Sequence, residues 1–272
     1  MSVLLLLAVA TLVAVPDSTA QGSLTGKAAS LYQQAMTTGR FAREAAALKP
    51  DVWPTSDQTS FFLVRRTTKT PQRWIVSLHG AGHPAKGFAT DDLATWAPHL
   101  KGRDIGLICL QWWLGTGDGS QDFFTPEQIY REVERALQTL GVKPGEVMLH
   151  GFSRGAANTY AVAAIDAGMG KRYFSLVVAS SGGVSLDYPP NRALLRGDYG
   201  DHPLKNTRWI TVAGASDPDP DRAGVAGMRS TGAWLKTQGA VLVEAIEDPS
   251  SGHGALHRNP KNAQRVLDLF LQ

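Results

Sequence analysis

Hydrophobic and polar positions follow two different patterns along most of the chain. Short, nearly continuous apolar runs are typical of strands covered on both faces of a sheet, and apolar positions three and four residues apart are typical of amphipathic helices. The runs predict strands at residues 60–66, 73–78, 105–111, 146–150, 174–180, 209–213 and 241–246. The helical spacing and the Ala-rich segments predict helices at residues 24–48, 91–100, 126–140, 156–167, 221–238 and 261–271.

Strands and helices alternate from residue 73 onwards. Such alternation predicts an α/β fold with a mostly parallel central sheet and helices on both faces. No Pro- or Ser-rich linker interrupts it, so we predict one domain. Residues 181–208, between two predicted strands, are too few for a large helical cap domain. The cleft at the carboxyl edge of the sheet is therefore expected to be open.

The first residues have the pattern of a secretion signal. Residues 4–15 form an apolar run with Thr11 as its one polar residue, and the small residues Ser18 and Ala20 suit cleavage before Gln21. As a helix this run would rise about 18 Å, less than the roughly 30 Å hydrocarbon core of a bilayer. We predict a signal peptide at 1–20, one folded domain at 21–272, and a secreted or periplasmic protein. An uncleaved anchor and a buried helix are the alternatives.

Composition narrows the class of protein. Of 272 residues, 43% are hydrophobic and 19% are charged, which is typical of a soluble globular protein. The net charge of +3 is small and unclustered, so we expect no nucleic-acid partner. The chain has one cysteine, Cys109, which excludes an intramolecular disulfide and a thiolate metal cluster.

The strongest chemical signal is the sequence Gly151-Phe152-Ser153-Arg154-Gly155. G-x-S-x-G alone is a weak motif, but here it lies between a predicted strand and a predicted helix. A sharp turn at that place exposes the central side chain at the edge of the sheet, and small neighbours prevent clashes. We predict that Ser153 is a nucleophile. The alternative is a Gly-rich turn in which the serine caps the helix.

A serine nucleophile needs a base, and the base needs an acid that orients it. His253 follows the last predicted strand on a polar loop, and we predict that it is the base, with His257 as the alternative; His150, inside a strand, is expected to be a packed core residue. Asp217 follows the strand at 209–213, and we predict that it is the acid. Asp219 and Asp187 are alternatives for the acid, and Asp221 is expected to cap the next helix.

Two backbone N–H groups are expected to stabilise a developing oxyanion. One belongs to Arg154, directly after the nucleophile, and the other to Ala81, in the loop Leu78-His79-Gly80-Ala81-Gly82. We expect the side chain of Arg154 to form a structural ion pair, with substrate binding as the alternative. The i,i+4 spacing of His79 and His83 would suit zinc only on a helix, and the glycines between them disfavour a helix. We therefore expect no metal site. Hydrolysis by a serine nucleophile also requires no cofactor, so none is expected.

Aromatic residues flank the Gly-rich loop 114–120. Trp112 and Trp113 end the strand before it, and Phe124 lies just after it. Because both positions are at the carboxyl edge of the sheet, these three residues are candidates for a substrate-binding aromatic wall near Ser153. The alternative is that they pack within the rim.

Ser, Asp and His in this order, with a His-Gly loop upstream, resemble the α/β-hydrolase superfamily over about residues 73–257. The compact layout is similar to secreted carbohydrate esterases of the feruloyl and acetyl-xylan type and to polyhydroxyalkanoate depolymerases. The elbow Gly151-Phe152-Ser153-Arg154-Gly155 continues with Ala156, where many lipases have a further glycine. The resemblance implies an α/β-hydrolase fold and a serine carboxylic ester hydrolase whose substrates include esters attached to polysaccharides or polyesters. A serine peptidase and a binding protein without turnover are the alternatives.

Overall fold

The computed structural model describes residues 23–81 and 87–272. Within them, eight strands form one sheet in the order β1-β2-β4-β3-β5-β6-β7-β8. β1 and β2 are antiparallel to their neighbours, and β3 to β8 are parallel. The strands are β1 (Asp51–Pro54), β2 (Phe61–Arg65), β3 (Arg73–Leu78), β4 (Ile105–Leu110), β5 (Val147–Phe152), β6 (Phe174–Ser180), β7 (Arg208–Gly214) and β8 (Val241–Asp248).

Helices cover both faces of this mostly parallel sheet, as predicted. They are α1 (Gly26–Thr38), α2 (Ala42–Leu48), α3 (Ala89–Trp96), α4 (Pro126–Thr139), α5 (Arg154–Gly168), α6 (Pro189–Leu195), α7 (Val225–Thr237), α8 (Ala255–Arg258) and α9 (Pro260–Phe270). Short 3₁₀ turns occur at Ala97–Leu100 and Ser120–Asp122.

The α4 helix illustrates how sequence sets an element's position. Thr125 accepts a hydrogen bond from the N–H of Gln128, and the Gln128 side chain accepts one from the N–H of Thr125. This reciprocal pair satisfies two N–H groups that a helix start otherwise leaves free. Ile129, Val133 and Leu137 then lie on one buried stripe that packs into the core.

Two predicted helix starts or extents are wrong. Residues 24–48 form α1 and α2 rather than one helix, because Gly39 has an extended backbone and packs where a Cβ would overlap the carbonyl of Ala35. Asp221 does not cap α7, whose N-cap is Gly224. The N–H groups of Ala223 and Gly224 both bond to the carbonyl of Asp219, so residues 219–224 form tight turns before the helix begins.

The connection between β6 and β7 contains one helix of seven residues, α6, as expected for a chain without a large cap domain. The predicted signal peptide at 1–20 lies outside the described residues, as does His83. In the part of the chain that the structure describes, no helix is long and apolar enough to cross a membrane.

Candidate active site

The turn from β5 into α5 holds Ser153 in an unusual backbone conformation. Its φ of 54° and ψ of −117° are rare for a residue with a side chain, and its N–H donates to the carbonyl of Ser180 at 2.8 Å. Such backbone strain concentrates at functional sites, where the surrounding structure maintains it. The strain here turns the Ser153 side chain away from the helix and out of the sheet edge.

Both glycines of the motif are required by close packing. A Cβ on Gly155 would overlap the carbonyl oxygen of Leu78, at the end of β3. A Cβ on Gly151 would lie 2.5 Å from the carbonyl carbon of Gly155. The G-x-S-x-G spacing therefore reflects how tightly α5 starts against the carboxyl ends of β3 and β5.

The three residues predicted as nucleophile, base and acid form one hydrogen-bonded series. His253 Nε2 lies 2.9 Å from Ser153 Oγ, and His253 Nδ1 lies 2.8 Å from Asp217 Oδ2. A carboxylate oxygen only accepts hydrogen bonds, so Nδ1 carries the proton and Nε2 accepts from the serine hydroxyl. The Asp217 side chain is fully buried, whereas 36% of the His253 side chain is exposed. The His253 ring is thus held by a buried carboxylate on one side and is partly exposed on the other.

The alternatives for these roles lie elsewhere. Asp219 pairs with Arg222, and its N–H donates to Asp217 Oδ1 at 3.0 Å, so it supports Asp217. Asp187 is exposed on the wall of the cavity. His257 lies behind the elbow, with its Nε2 3.6 Å from Asp92 Oδ1. Ser153 is the N-cap residue of α5, but its side chain makes no capping hydrogen bond.

The predicted oxyanion donors lie at the same sheet edge. The N–H of Arg154 belongs to the first residue of α5, where a helix leaves N–H groups without internal partners and favours negative charge. Ala81 lines the same cavity as Ser153. The loop before Ala81 closely approaches the nucleophile, since a Cβ on Gly80 would lie 3.5 Å from the Cβ of Ser153.

The structure does not bring the predicted aromatic wall to the cavity. Trp112, Trp113 and Phe124 are each at most 5% exposed and belong to the core cluster. Trp112 Nε1 donates to the carbonyl of His79 at 3.0 Å, which supports the loop leading to Ala81. Because these residues are buried in the core cluster and do not line the cavity, the substrate-binding prediction for them is wrong.

The cavity has a volume of about 490 Å³ and is formed mainly by loops that follow the strands. Sequence patterns did not indicate several of its residues, because they lie in irregular segments between the periodic elements. Four such residues line the cavity although no sequence pattern distinguishes them: Asp118, Ser181, Tyr188 and Arg222. Tyr188 contributes an aromatic ring, and its hydroxyl accepts a hydrogen bond from Asn158 Nδ2 at 2.6 Å.

A buried polar cluster supports the elbow from below. His150 Nδ1 lies 2.7 Å from Ser77 Oγ and accepts from Trp96 Nε1 at 3.2 Å, which confirms it as a packed core residue. Burial lowers the pKa of His150 to about 3 and that of His79 to about 4, so both rings are neutral near pH 7. Burial alone would raise the pKa of Asp92, but its interaction with the His257 side chain holds that pKa below its usual value.

In sequence, the chain matches no family model and no curated protein. Comparison of structures does find neighbours. Acyl-protein thioesterase 2 from Zea mays is 19% identical, with a TM-score of 0.51 over 78% of this chain and 99% of that one. A hyperthermophilic esterase from Pyrobaculum calidifontis is 17% identical, with a TM-score of 0.60 over 89% and 95%.

The chain has the α/β-hydrolase fold. Other structural neighbours with this fold include a Bacillus cereus carboxylesterase, 15% identical, with a TM-score of 0.53 over 77% of this chain and 92% of that one. The neighbours are esterases and related hydrolases, and the likeness at these identities is one of fold. The α/β-hydrolase fold places the residues after β5, β7 and β8 at one sheet edge, where Ser153, Asp217 and His253 meet.

Proposed function

We propose that the protein is a serine carboxylic ester hydrolase that works through an acyl-enzyme on Ser153. The observation that carries this proposal is the hydrogen-bonded series from Ser153 through His253 to buried Asp217, at 2.9 Å and 2.8 Å. The strained backbone of Ser153 adds support, because its side chain makes no capping hydrogen bond to α5 and lines the cavity instead.

In the proposed mechanism, Ser153 Oγ attacks the ester carbonyl while His253 Nε2 takes its proton. The carbonyl oxygen becomes an oxyanion, which the N–H groups of Arg154 and Ala81 stabilise. The imidazolium of His253, stabilised by Asp217, then protonates the leaving alcohol, and the acyl group stays on Ser153. Water attacks the acyl-enzyme with His253 again as base, which releases the acid and restores the serine.

The proposed substrates are short-chain or aromatic acyl esters, including esters attached to a polymer. The cavity is of the size that holds a small ligand, and the only helix of the β6–β7 connection is α6. The aromatic contact surface in this cavity is supplied by Tyr188 and not by the predicted Trp112 and Trp113. A long aliphatic chain would find little apolar surface there.

Substitution of the nucleophile tests the proposal. Ser153→Ala should reduce kcat on p-nitrophenyl acetate by about 10⁴-fold or more, since triad knockouts in a serine protease cost about that much. The melting temperature should stay within a few degrees, because the Ser153 side chain makes no capping bond. A fluorophosphonate probe should label the wild type and fail to label the variant. Activity above a tenth of the wild-type value would rule out Ser153 as the nucleophile.

Substrate class is tested by a screen of purified protein on p-nitrophenyl esters, methyl ferulate, acetylated xylan and peptide amides. The proposal expects ester cleavage well above amide cleavage. Cleavage of amides in preference would support a peptidase on this fold, and absence of both turnover and probe labelling would support a binding protein.

A further inference from the structure

Arg154 is one of two arginines among the described residues that line the cavity. None of the ion pairs among the described residues includes it, so the structural ion pair expected from the sequence is not formed. The guanidinium instead lies 4.2 Å from the ring centre of Phe123 and 5.9 Å from that of Tyr188. Its Nη1 donates to the backbone carbonyl of Asp118 at 3.0 Å.

These contacts fix the guanidinium without neutralising it. A guanidinium has five N–H donors, and the hydrogen bond to the Asp118 carbonyl uses one of them. The guanidinium lies over the ring of Phe123 at a distance typical of a cation–π contact, which holds it in place and leaves its charge available to an anion. Its planar donors match the two oxygens of a carboxylate.

The other charges of the cavity leave this role to Arg154. Asp217 is bonded to His253, and Asp219 is paired with Arg222. Asp118 and Asp187 are exposed at the rim, where water screens their repulsion of an anion. Among the described residues that line the cavity, Arg154 is therefore the arginine whose charge no carboxylate pairs with.

We propose that the Arg154 side chain binds a carboxylate of the substrate, so that the enzyme favours esters that carry a free carboxylate. This inference rests on the proposed ester hydrolysis and adds the substrate class. The carboxylate can belong to the acyl group, as in a dicarboxylic half-ester, or to the alcohol. Arg154 thus has two separate roles: its backbone N–H stabilises the oxyanion, and its side chain selects the substrate.

Two matched pairs of esters test the proposal and separate the two sources of the carboxylate. p-Nitrophenyl hemiglutarate against p-nitrophenyl valerate tests the acyl side, and 4-acetoxybenzoate against 4-methylphenyl acetate tests the alcohol side. Arg154→Gln should lower the charged-to-neutral ratio of kcat/KM by about tenfold or more in one pair, mostly through KM, as expected for a lost charge-assisted bond to the ground state. Arg154→Lys should restore part of the ratio.

Arg222→Gln is the matched control, because it removes the same charge from the same cavity but from a guanidinium already paired with Asp219. It should change the ratio less than about threefold. Wild-type cleavage of p-nitrophenyl acetate should also be inhibited competitively by glutarate and not by glutaramide, a measurement that needs no variant.

Each outcome supports or overturns the inference. A ratio unchanged by Arg154→Gln in both pairs, or equal inhibition by glutarate and glutaramide, overturns the carboxylate site. An equal fall in Arg222→Gln also overturns it, because the effect would then be the general field of the cavity. If the wild type cleaves none of the four esters and the phosphonate probe does not label Ser153, it is the proposed hydrolase function that fails.

Discussion

Asp217→Asn is the substitution whose consequence the structure defines most sharply. Asp217 Oδ1 accepts the N–H of Asp219 at 3.0 Å, and Oδ2 accepts from His253 Nδ1 at 2.8 Å. An asparagine has one oxygen and one NH₂ group in place of these two oxygens. The N–H of Asp219 requires the oxygen on its side, so the NH₂ group must face His253.

An NH₂ group facing Nδ1 forces that nitrogen to accept, which moves the imidazole proton to Nε2. His253 Nε2 then donates towards Ser153 Oγ and no longer takes its proton. In the best-studied serine protease this change of tautomer lowers kcat by about 10⁴-fold. We expect a loss of the same order here, measured as kcat on p-nitrophenyl acetate at neutral pH, with the structure of the site retained.

Asp219→Asn is the control for this prediction. It keeps the backbone N–H that orients residue 217 and removes only the ion pair with Arg222, which is largely exposed. Its kcat should stay within about threefold of the wild type, because exposed pairs contribute little. The acid has been assigned to the wrong residue if Asp217→Asn retains more than a tenth of wild-type kcat. The same holds if Asp219→Asn lowers kcat more than Asp217→Asn does.

Three further predictions concern packing, pH and substrate length. Gly155→Ala should lower the melting temperature strongly because its Cβ would overlap the Leu78 carbonyl, whereas Gly168→Ala, with no atom within 4 Å, should not lower it. Burial raises the pKa of Asp91 to about 7, so the wild type should lose stability as pH rises from about 4 through 7. The melting temperature of Asp91→Asn relative to that of the wild type should therefore rise over this range. A difference between the two melting temperatures that does not change with pH would contradict this. kcat/KM should be higher for acetyl and butyryl esters than for C12 and longer, since little apolar surface buries a long chain at about 0.8 kcal/mol per CH₂; a steady rise to palmitoyl esters would indicate a lipase.

The parallel strands β3 to β7 were predictable because they are largely buried and read as apolar runs. The prediction for 105–111 differs from β4 by one residue, for example. β1 was not predicted, because Asp51–Pro54 is half-buried, flanked by Pro50, and stabilised by pairing with β2 rather than by its own pattern. α6 was also missed, since Pro189 and Pro190 suggest a loop, although proline is accommodated in the first turn of a helix.

The meeting of Ser153, Asp217 and His253 was predictable for a related reason. Each follows a parallel strand, and parallel strands present their carboxyl ends at one edge, so the order of strands along the chain largely determines which loops meet. The strained turn at Ser153 also leaves a local trace, because only glycine fits at 151 and 155. The sequence therefore predicts which three side chains meet at this edge of the sheet.

The wall of the cavity is encoded differently. Trp112 is buried and donates to the carbonyl of His79. The Arg154 guanidinium is positioned by Phe123, Tyr188 and the backbone carbonyl of Asp118. These partners are distant in sequence and lie in segments without hydrophobic periodicity, so no sequence pattern predicts their contacts. The fold brings Ser153, His253 and Asp217 together at the sheet edge, and contacts among the connecting loops shape the cavity beside them. A change of substrate class is accordingly expected to need changes in those loops and in the side chain of Arg154, while the elbow glycines and the Ser153–His253–Asp217 series stay the same.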